Sequence, residues 1–204
     1  IPNHARFSYI SDSMIVKRNR FIIDQRDNGH PFKLIIYESP GGGIIGGSNS
    51  ADSNLFANKL VNNHFNSVGV YNSGPITVLK NIFDCNSYYR STTYVEHVGF
   101  IPFVQVDTTA STFVKGRAAT GAKIDLYYDD YCTACEGLSY LATVIADATG
   151  HWTYNGTITG TVIATATSAA GYTSAFSAPE FNTQNKIVKH PTCGKNNGSI
   201  TNIT

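Results

Sequence analysis

The chain has few charged side chains. Asp, Glu, Lys and Arg make up only 14% of its 204 residues and the formal net charge is +1, whereas charged residues form about 25% of an average soluble protein. The one dense basic run, at residues 17–20, is short and is best interpreted as a solvated strand or turn edge. Nucleic-acid binding proteins show a clustered basic face instead, so the sequence predicts no nucleic-acid partner.

Long apolar runs are also missing. The longest lie at residues 33–37 and 161–165, and both are far shorter than the ~20 residues that a membrane-spanning helix needs. We therefore expect no membrane span. The chain begins at Ile1 and Pro2 with no initiator Met and no signal peptide, so we expect it to be processed or to be a piece of a longer polypeptide.

The sequence lacks the residue groupings that catalysis needs. Its six histidines form no i, i+4 pair and no nucleophile pattern with Ser or Cys. The acids of residues 1–100 are scattered, whereas polysaccharide lyases and glycosidases need clustered carboxylates. We predict no catalytic residue, no enzyme activity and no cofactor. Calcium is the one alternative, because Asp129, Asp130 and Glu136 could bind it in a loop, although such carboxylates are more often solvated.

Only two of the four cysteines lie close together in sequence. Cys132 and Cys135 form a C-x-x-C, but no second C-x-x-C or nearby His pair completes a zinc site. No βαβ pattern surrounds them that would indicate a thioredoxin-like protein. We predict a small loop disulfide between Cys132 and Cys135, with free thiols as the alternative, and we expect Cys85 and Cys193 to be unpaired.

Uncharged polar residues that favour strands and turns are abundant. The chain holds 18 Asn, 21 Thr, 17 Ser and 12 Tyr, a usage that suits an extracellular all-β protein. Residues 1–100 contain twelve Asn and three Thr, whereas residues 101–181 contain one Asn and fourteen Thr. This shift near residue 103 predicts two different β architectures.

A short pattern recurs in the first segment. It places Asn19, Asn58 and Asn81 beside aliphatic residues, at intervals of 39 and 23 residues, within the ~20 to 50 residue periods of solenoids. We interpret the longer interval as one turn plus an insertion that holds residues 40–47. The pattern predicts short strands with inward aliphatic side chains and with Asn at a corner, bonded to neighbouring backbone groups.

The same segment resembles a known family. The run from Ile45-Gly-Gly to Asn54 and Asn58, followed by a strand at 68–71, is similar to the rungs of right-handed parallel β-helix proteins secreted by bacteria. The resemblance covers about residues 7–90. It implies that residues 1–103 are the C-terminal part of a longer β-helix, with residues 88–103 covering its open end.

Residues 104–182 show a second pattern. Seven short strands follow one another at spacings of roughly ten residues, which is typical of a β-sandwich. We predict them at Val104–Asp107, Thr112–Ala118, Lys123–Tyr128, Leu138–Asp147, His151–Asn155, Thr161–Ser168 and Thr173–Ala178. The segments 114–118, 120–127, 146–154 and 164–177 and the loop 132–137 resemble a bacterial Ig-like (Big-type) domain of large secreted Bacteroidota surface proteins. The resemblance implies a seven-stranded Ig-like sandwich.

The tail resembles the opening of a third module. Residues 189–204, with Pro191-Thr-Cys193 and Asn197-Gly-Ser-Ile200, are similar to the start of a gliding-adhesin (SprB-type) repeat. Residues 183–204 are then a linker and the first strand of a truncated repeat. We expect that strand to fray or to borrow an edge from another chain.

Several residues are candidates for ligand contact or modification. Trp152 is expected in the sandwich core or at its edge, and its alternative role is sugar stacking, together with Tyr88, Tyr89 or Tyr94. Ser13 and Thr108 each follow an Asp, a pattern that marks O-glycosylation in the resembled bacterial group.

The resemblances imply a secreted, extracellular or cell-surface protein. We expect a non-catalytic part of a large adhesin or filament protein that acts as stalk and contact surface. Its expected partners are other modules of the same polypeptide, surface glycans or neighbouring subunits. One alternative is the spacer and distal rungs of a secreted polysaccharide-degrading enzyme with its active site upstream. The other is a carbohydrate-binding module.

Overall fold

The computed structural model describes residues 5–23, 32–58, 66–85, 94–96, 101–129, 137–177, 187–189 and 199–201. Within these ranges the protein is all-β, as predicted, with strands, one short 3-10 turn and no α-helix. No helix of these residues is long and apolar enough to cross a membrane.

Residues 5–96, here called the parallel half, form three parallel sheets. Each strand pairs with the strand three places later, so the chain visits all three sheets in turn before it returns to the first. The sheets have the orders β1-β4-β7-β10, β2-β5-β8 and β3-β6-β9. Their strands are β1 Ala5–Ser8, β2 Met14–Val16, β3 Arg20–Ile23, β4 Phe32–Tyr37, β5 Gly43–Gly46, β6 Leu55–Asn58, β7 Asn66–Tyr71, β8 Ile76–Leu79, β9 Ile82–Cys85 and β10 Tyr94–Glu96.

Side chains of alternate residues fill the space between these sheets, because neighbouring residues of a strand point to opposite faces. Phe21, Phe56 and Phe83 occupy matching positions on β3, β6 and β9. Their rings stack with centroids 4.9 and 5.2 Å apart and planes within 10°. Aliphatic side chains of the other two sheets complete this core, among them Leu34, Ile36, Ile45, Val68, Val70 and Val78.

Asparagines mark one corner of the parallel half, as predicted, but one of the three was assigned wrongly. The register of β3, β6 and β9 makes Asn54, not Asn58, the equivalent of Asn19 and Asn81. Asn58 instead ends β6, opposite Cys85. Each of the three equivalent asparagines, Asn19, Asn54 and Asn81, is followed two positions later by a Phe.

The side chains of the buried asparagines form hydrogen bonds to backbone groups of neighbouring turns. The side-chain amide of Asn54 donates to the Val16 carbonyl at 2.8 Å, and that of Asn81 donates to the Ile45 carbonyl at 2.9 Å. Oδ1 of Asn81 accepts from the Asn54 backbone N–H at 2.9 Å. Each amide thus satisfies backbone groups that strand pairing leaves open at the corner.

The predicted insertion at residues 40–47 was wrong. Gly43–Gly46 is β5, the middle strand of its sheet, paired on both sides with β2 and β8. Gly46 has φ of +88°, and a Cβ there would collide with the Leu79 carbonyl and the Asn81 amide. Glycine therefore permits a close approach of two turns here, whereas from sequence alone residues 40–47 were interpreted as part of an insertion.

Residues 101–177, here called the antiparallel half, form two three-stranded sheets with the orders β11-β12-β15 and β14-β13-β16. Their strands are β11 Val104–Ala110, β12 Phe113–Ala118, β13 Lys123–Asp129, β14 Ser139–Ile145, β15 His151–Asn155 and β16 Thr161–Thr167. The two sheets share a core that includes Val106, Val114, Ile124, Leu126, Trp152, Val162, Ala164 and Ala166.

The seventh predicted strand of this half is not a regular strand over residues 173–177. One bridge joins Thr167 to Thr173. Beyond it, the Ser174 and Ser177 hydroxyls accept from the backbone N–H groups of Ala166 and Ala164 at 2.9 and 3.0 Å. Serine side chains thus take the place of strand carbonyls, so the segment follows β16 without continuing its ladder.

The tail pairs with its own linker. β17 Ile187–Lys189 and β18 Ser199–Thr201 form an antiparallel pair in which Val188 lies opposite Ile200. The expectation of a single strand without a partner in this chain was therefore wrong. A short strand preceding it in sequence supplies the edge.

Pairing changes from parallel to antiparallel between β10 and β11. One buried cluster nevertheless crosses this change, because Tyr127, Ile163 and Phe176 of the antiparallel half join the core of the parallel half. The domain boundaries predicted at residues 103 and 182 stay predictions.

Candidate functional site at the junction of the two halves

The two sheets of the antiparallel half are covered to different extents. In β12 and β15 of one sheet, here called the open sheet, buried residues alternate with more exposed ones. In β13 and β16 of the other, here called the covered sheet, nearly every residue is buried. Since a strand presents alternate residues to opposite faces, β13 and β16 of the covered sheet are buried on both faces.

Aromatic side chains join the covered sheet to the parallel half. The ring of Phe176 meets the ring of Phe83 edge to face at 5.2 Å, and it meets Tyr127 in the same way at 5.3 Å. The stack of three phenylalanines in the parallel half therefore continues into the antiparallel half. Edge-to-face pairs of this kind contribute about 0.5–1.5 kcal/mol beyond the area they bury.

Three backbone N–H groups of β8, β9 and the segment between them donate to the antiparallel half. Val78 donates to the Thr173 hydroxyl at 3.0 Å, Lys80 to the Tyr127 hydroxyl at 3.0 Å, and Phe83 to the Gly137 carbonyl at 3.1 Å. An unpaired edge strand presents a row of such groups to other chains. Here two hydroxyls and one carbonyl close part of that edge.

Lys80 is the residue through which the corner of the last turn meets the covered sheet. Its backbone has φ of +49°, an uncommon conformation for a residue with a side chain. Its ammonium group donates to the Ser48 carbonyl at 2.6 Å and lies 4.5 Å from the centre of the Tyr140 ring. The side chain thus lies between the two halves and satisfies a group on each.

A buried carboxyl group lies on the face of the covered sheet that carries Tyr127. Asp125 is 2% exposed and accepts a hydrogen bond from the Thr143 hydroxyl. The Thr143 hydroxyl is also bonded to the Tyr140 hydroxyl at 2.6 Å. Burial raises the pKa of Asp125, while the Thr143 bond and the charges of Lys123 and Lys80 act in the opposite direction. Burial also raises the pKa of Tyr127, so its hydroxyl stays protonated.

The structure places Trp152 in the core of the antiparallel half. The residue is 2% exposed, and its indole packs so closely on Gly116 that a Cβ there would collide with the ring. This placement is the core position expected from sequence. It leaves Trp152 no open ring face on which a sugar could stack.

The two predicted glycosylation residues lie in different halves of the protein. Ser13 is exposed immediately before β2, and Thr108 is half-buried on β11 opposite Lys115. The carboxylate of Asp107, next to Thr108, is held by the Arg117 guanidinium at 2.9 Å. Modification of either residue stays a prediction.

Other predicted site residues lie outside the described part of the chain. They are Cys132 and Cys135 of the disulfide, Tyr88 and Tyr89 of the stacking candidates, and Asp130 and Glu136 of the calcium candidates. Asp129 is buried at the end of β13. Among the residues that are described, no three His, Cys, Asp or Glu side chains form a group that could hold a metal ion.

Sequence reasoning did not find the junction. The signal that could have found it is β16, where Val162, Ile163, Ala164 and Ala166 leave no charged position on either face. Strands buried on both faces give near-continuous apolar runs of this kind. From sequence this segment was predicted only as one strand of a β-sandwich.

A scan against protein-family models finds no match, and no curated protein matches the chain at a significant level.

Proposed function

We propose that the chain is a non-catalytic structural segment of a large secreted cell-surface adhesin or filament protein. In this proposal residues 1–103 are the last rungs of a right-handed parallel β-helix, residues 104–182 are an Ig-like sandwich, and residues 183–204 begin a further repeat. The two larger modules act as one rigid stalk segment.

The observation that supports the proposal most directly is the junction. Interfaces between domains of one chain are commonly polar and permit relative motion. Here Phe83, Phe176 and Tyr127 form a continuous aromatic contact, and the hydrogen bonds to Val78, Lys80 and Phe83 surround it. Such a joint resists bending and pulling, which is the property that a stalk needs.

Force spectroscopy tests the mechanical part of the proposal. The whole chain is pulled from its two ends, and we expect the two halves to unfold in one main event because they share a core. Tyr127→Ala should lower the force of that event and divide it into two. Thr153→Val, on the exposed face of the open sheet, is the matched control and should leave the force unchanged. Two separate events in the unaltered chain would contradict a rigid joint.

Labelling of intact cells tests the location. Antibodies against the chain should label unbroken cells of its source or detect the protein in the culture medium. Label that appears only after the cells are opened would rule out a secreted surface protein, whatever the force measurements show.

Glycan contact is a second candidate function, and a row of tyrosines on the parallel half favours it. Tyr9 is 70% exposed, and its ring lies 6.3 Å from that of Tyr37, which lies 6.4 Å from that of Tyr71. Arg6 lies 4.9 Å above the Tyr37 ring, and a hydrogen bond with Glu38 raises the pKa of Tyr37. Rings, hydroxyls and charges together are suited to sugars.

A glycan array tests this second function. The unaltered chain and Tyr9→Ala are applied to the same array, and binding that the variant loses supports contact through the row. Binding that is equal in both, or absent from both, removes the row as a glycan site.

A further inference from the structure

Asp125 lies on the face of the covered sheet that meets the parallel half. The carboxyl group lies on the outer face of β13, the central strand of the covered sheet, and that face carries Tyr127, which packs in the core of the parallel half. Strand alternation directs Ile124 and Leu126 to the opposite face, into the other core. If the two halves separated, the face that carries Asp125 would meet solvent.

Hydrogen bonds and ring contacts connect Asp125 to the residues at the junction of the two halves. Thr143 donates to its carboxylate, Tyr140 bonds to Thr143, and the Tyr140 ring contacts both the Lys80 ammonium and the Tyr127 ring. Lys80 belongs to the parallel half and all the other residues to the antiparallel half. A change of charge on Asp125 therefore occurs beside the contact that holds the halves together.

The ionisable groups around Asp125 are few. Lys123 on its own strand and Lys80 on the last turn of the parallel half are the cations that act on it. Tyr140 on β14 and Tyr127 on β13 are the neighbouring phenols, while β16 contributes Thr165 opposite Asp125. A buried carboxylate prefers water unless its partners replace its hydration, and here the two lysines and one hydroxyl do so only in part.

We propose that Asp125, Thr143, Tyr140 and Lys80 form a proton-controlled clamp, in which protonation of Asp125 tightens the docking of the two halves and ionisation loosens it. A proton then acts as a ligand of the docked state, since any ligand that binds one of two states more tightly shifts the balance toward that state. The proposal rests on the junction and not on where the protein is located.

The direction of the effect follows from the pKa of Asp125. Burial raises the pKa of Asp125 above its ordinary value. If contact with the parallel half supplies part of that burial, the docked state holds the proton more tightly than the separated state. The extra stability is present in full below the ordinary value of about 3.9 and is lost as the pH rises through the raised docked-state pKa. Within that window, each pH unit changes the docking equilibrium by up to tenfold.

Hydrogen exchange measures docking directly. The backbone N–H groups of Val78, Lys80 and Phe83 donate across the junction, so their protection factors report whether the halves are docked. Between pH 8 and pH 4.5 we expect their protection to rise relative to Val114, a core residue of the open sheet. In Asp125→Asn, which stays neutral, we expect high protection at both pH values.

Two further variants decide the outcome. Thr143→Val removes a bond that favours the ionised form, so the rise in protection should move to higher pH. Asp107→Asn alters a half-buried carboxylate on the open sheet, away from the junction, and should behave as the unaltered chain. If Asp125→Asn does not fold, the shift in Thr143→Val carries the test alone.

Protection that changes equally with pH in the unaltered chain and in Asp125→Asn would overturn the clamp. So would a Thr143→Val profile that does not move. Either result would leave the single unfolding event of the stalk proposal intact, so the two proposals fail separately.

Discussion

The open and covered sheets have the same size and the same antiparallel pairing, yet they differ on their outer faces. β12 of the open sheet turns Lys115 and Arg117 to solvent. β13 and β16 of the covered sheet place Tyr127 and Ile163 in the core of the parallel half. The residues that a sheet turns outward thus decide whether its outer face meets solvent or a second core.

The difference also sets the role of each sheet. The open sheet stabilises only its own half, since its outer residues are solvated and surface charges contribute little. The covered sheet takes part in two cores, because Ile124 and Leu126 lie in one and Tyr127 and Ile163 in the other. Substitutions on its outer face should therefore affect both halves at once.

The largest effect is expected from removal of the Tyr127 side chain. Tyr127→Ala leaves a cavity beside Phe176 and Tyr140 and removes the acceptor of the Lys80 N–H. We expect a loss of about 3–5 kcal/mol in the free energy of unfolding, as for other large buried aromatics. Urea unfolding measures it. Tyr154→Ala, the same substitution at a half-buried site of the open sheet, should cost less than half as much, and equal costs would argue against a special role for the junction.

Gly137→Ala should have the next largest effect. Gly137 has φ of +72°, and a Cβ there would lie 2.5 Å from Cζ of Phe176. Backbone strain and overpacking together should cost about 2–4 kcal/mol. Gly121 is the matched control, because it has φ of +68° but nothing within 4 Å of an added Cβ. Gly121→Ala should cost only the backbone part, about 1–2 kcal/mol, and thermal unfolding of the two variants isolates the packing at the junction.

A smaller effect is expected from Thr173→Val, which keeps the shape of the side chain. It removes the hydroxyl that accepts from the Val78 N–H and bonds to Thr167. An unsatisfied buried donor costs about 1–3 kcal/mol, so the free energy of unfolding should fall by that amount. Thr153→Val on the open sheet should change it by at most about 0.5 kcal/mol. A neutral result at Thr173 would mean that water replaces the hydroxyl.

The smallest effect concerns Asp147, an exposed carboxylate that contrasts with Asp125. Hydrogen bonds from Thr149 and from the His151 backbone lower the pKa of Asp147. A lowered folded-state pKa gives stability that is present above the ordinary value and is lost as the pH falls through the folded value. Thermal unfolding from pH 5 to pH 2 should show a smaller loss of stability on acidification in Asp147→Asn than in the unaltered chain. An unchanged acid profile in that variant would contradict the assignment.

Much of the fold follows from local sequence. Turn residues and alternation locate β12, β13, β15 and β16 to within a residue or two, because each strand carries its own pattern of inward side chains. The corner asparagines also follow from local chemistry. The choice between Asn54 and Asn58 depended on the register of Phe56 with Phe21 and Phe83. This register is set by pairing between strands that are distant in sequence, and no single segment specifies it.

The junction could not be predicted in the same way. Gly137, Phe176 and Thr173 lie in segments that resemble an Ig-like domain, but they acquire their roles at the junction only when distant parts of the chain meet. The covering of the outer face of β16 is visible in its composition, but its partner is not. Local patterns thus identify a surface that is to be buried without identifying what buries it.

The hydrogen bonds to the edge of β8 can form in a growing chain only after the antiparallel half has been synthesised. The bond from Val78 to Thr173 spans 95 residues of sequence. At synthesis rates of about 5–20 residues per second, the edge would wait for its partner for roughly 5 to 20 seconds. During that interval the newest turn is open to pairing with a neighbouring nascent chain. The antiparallel half therefore protects the turns that precede it only once it has been made.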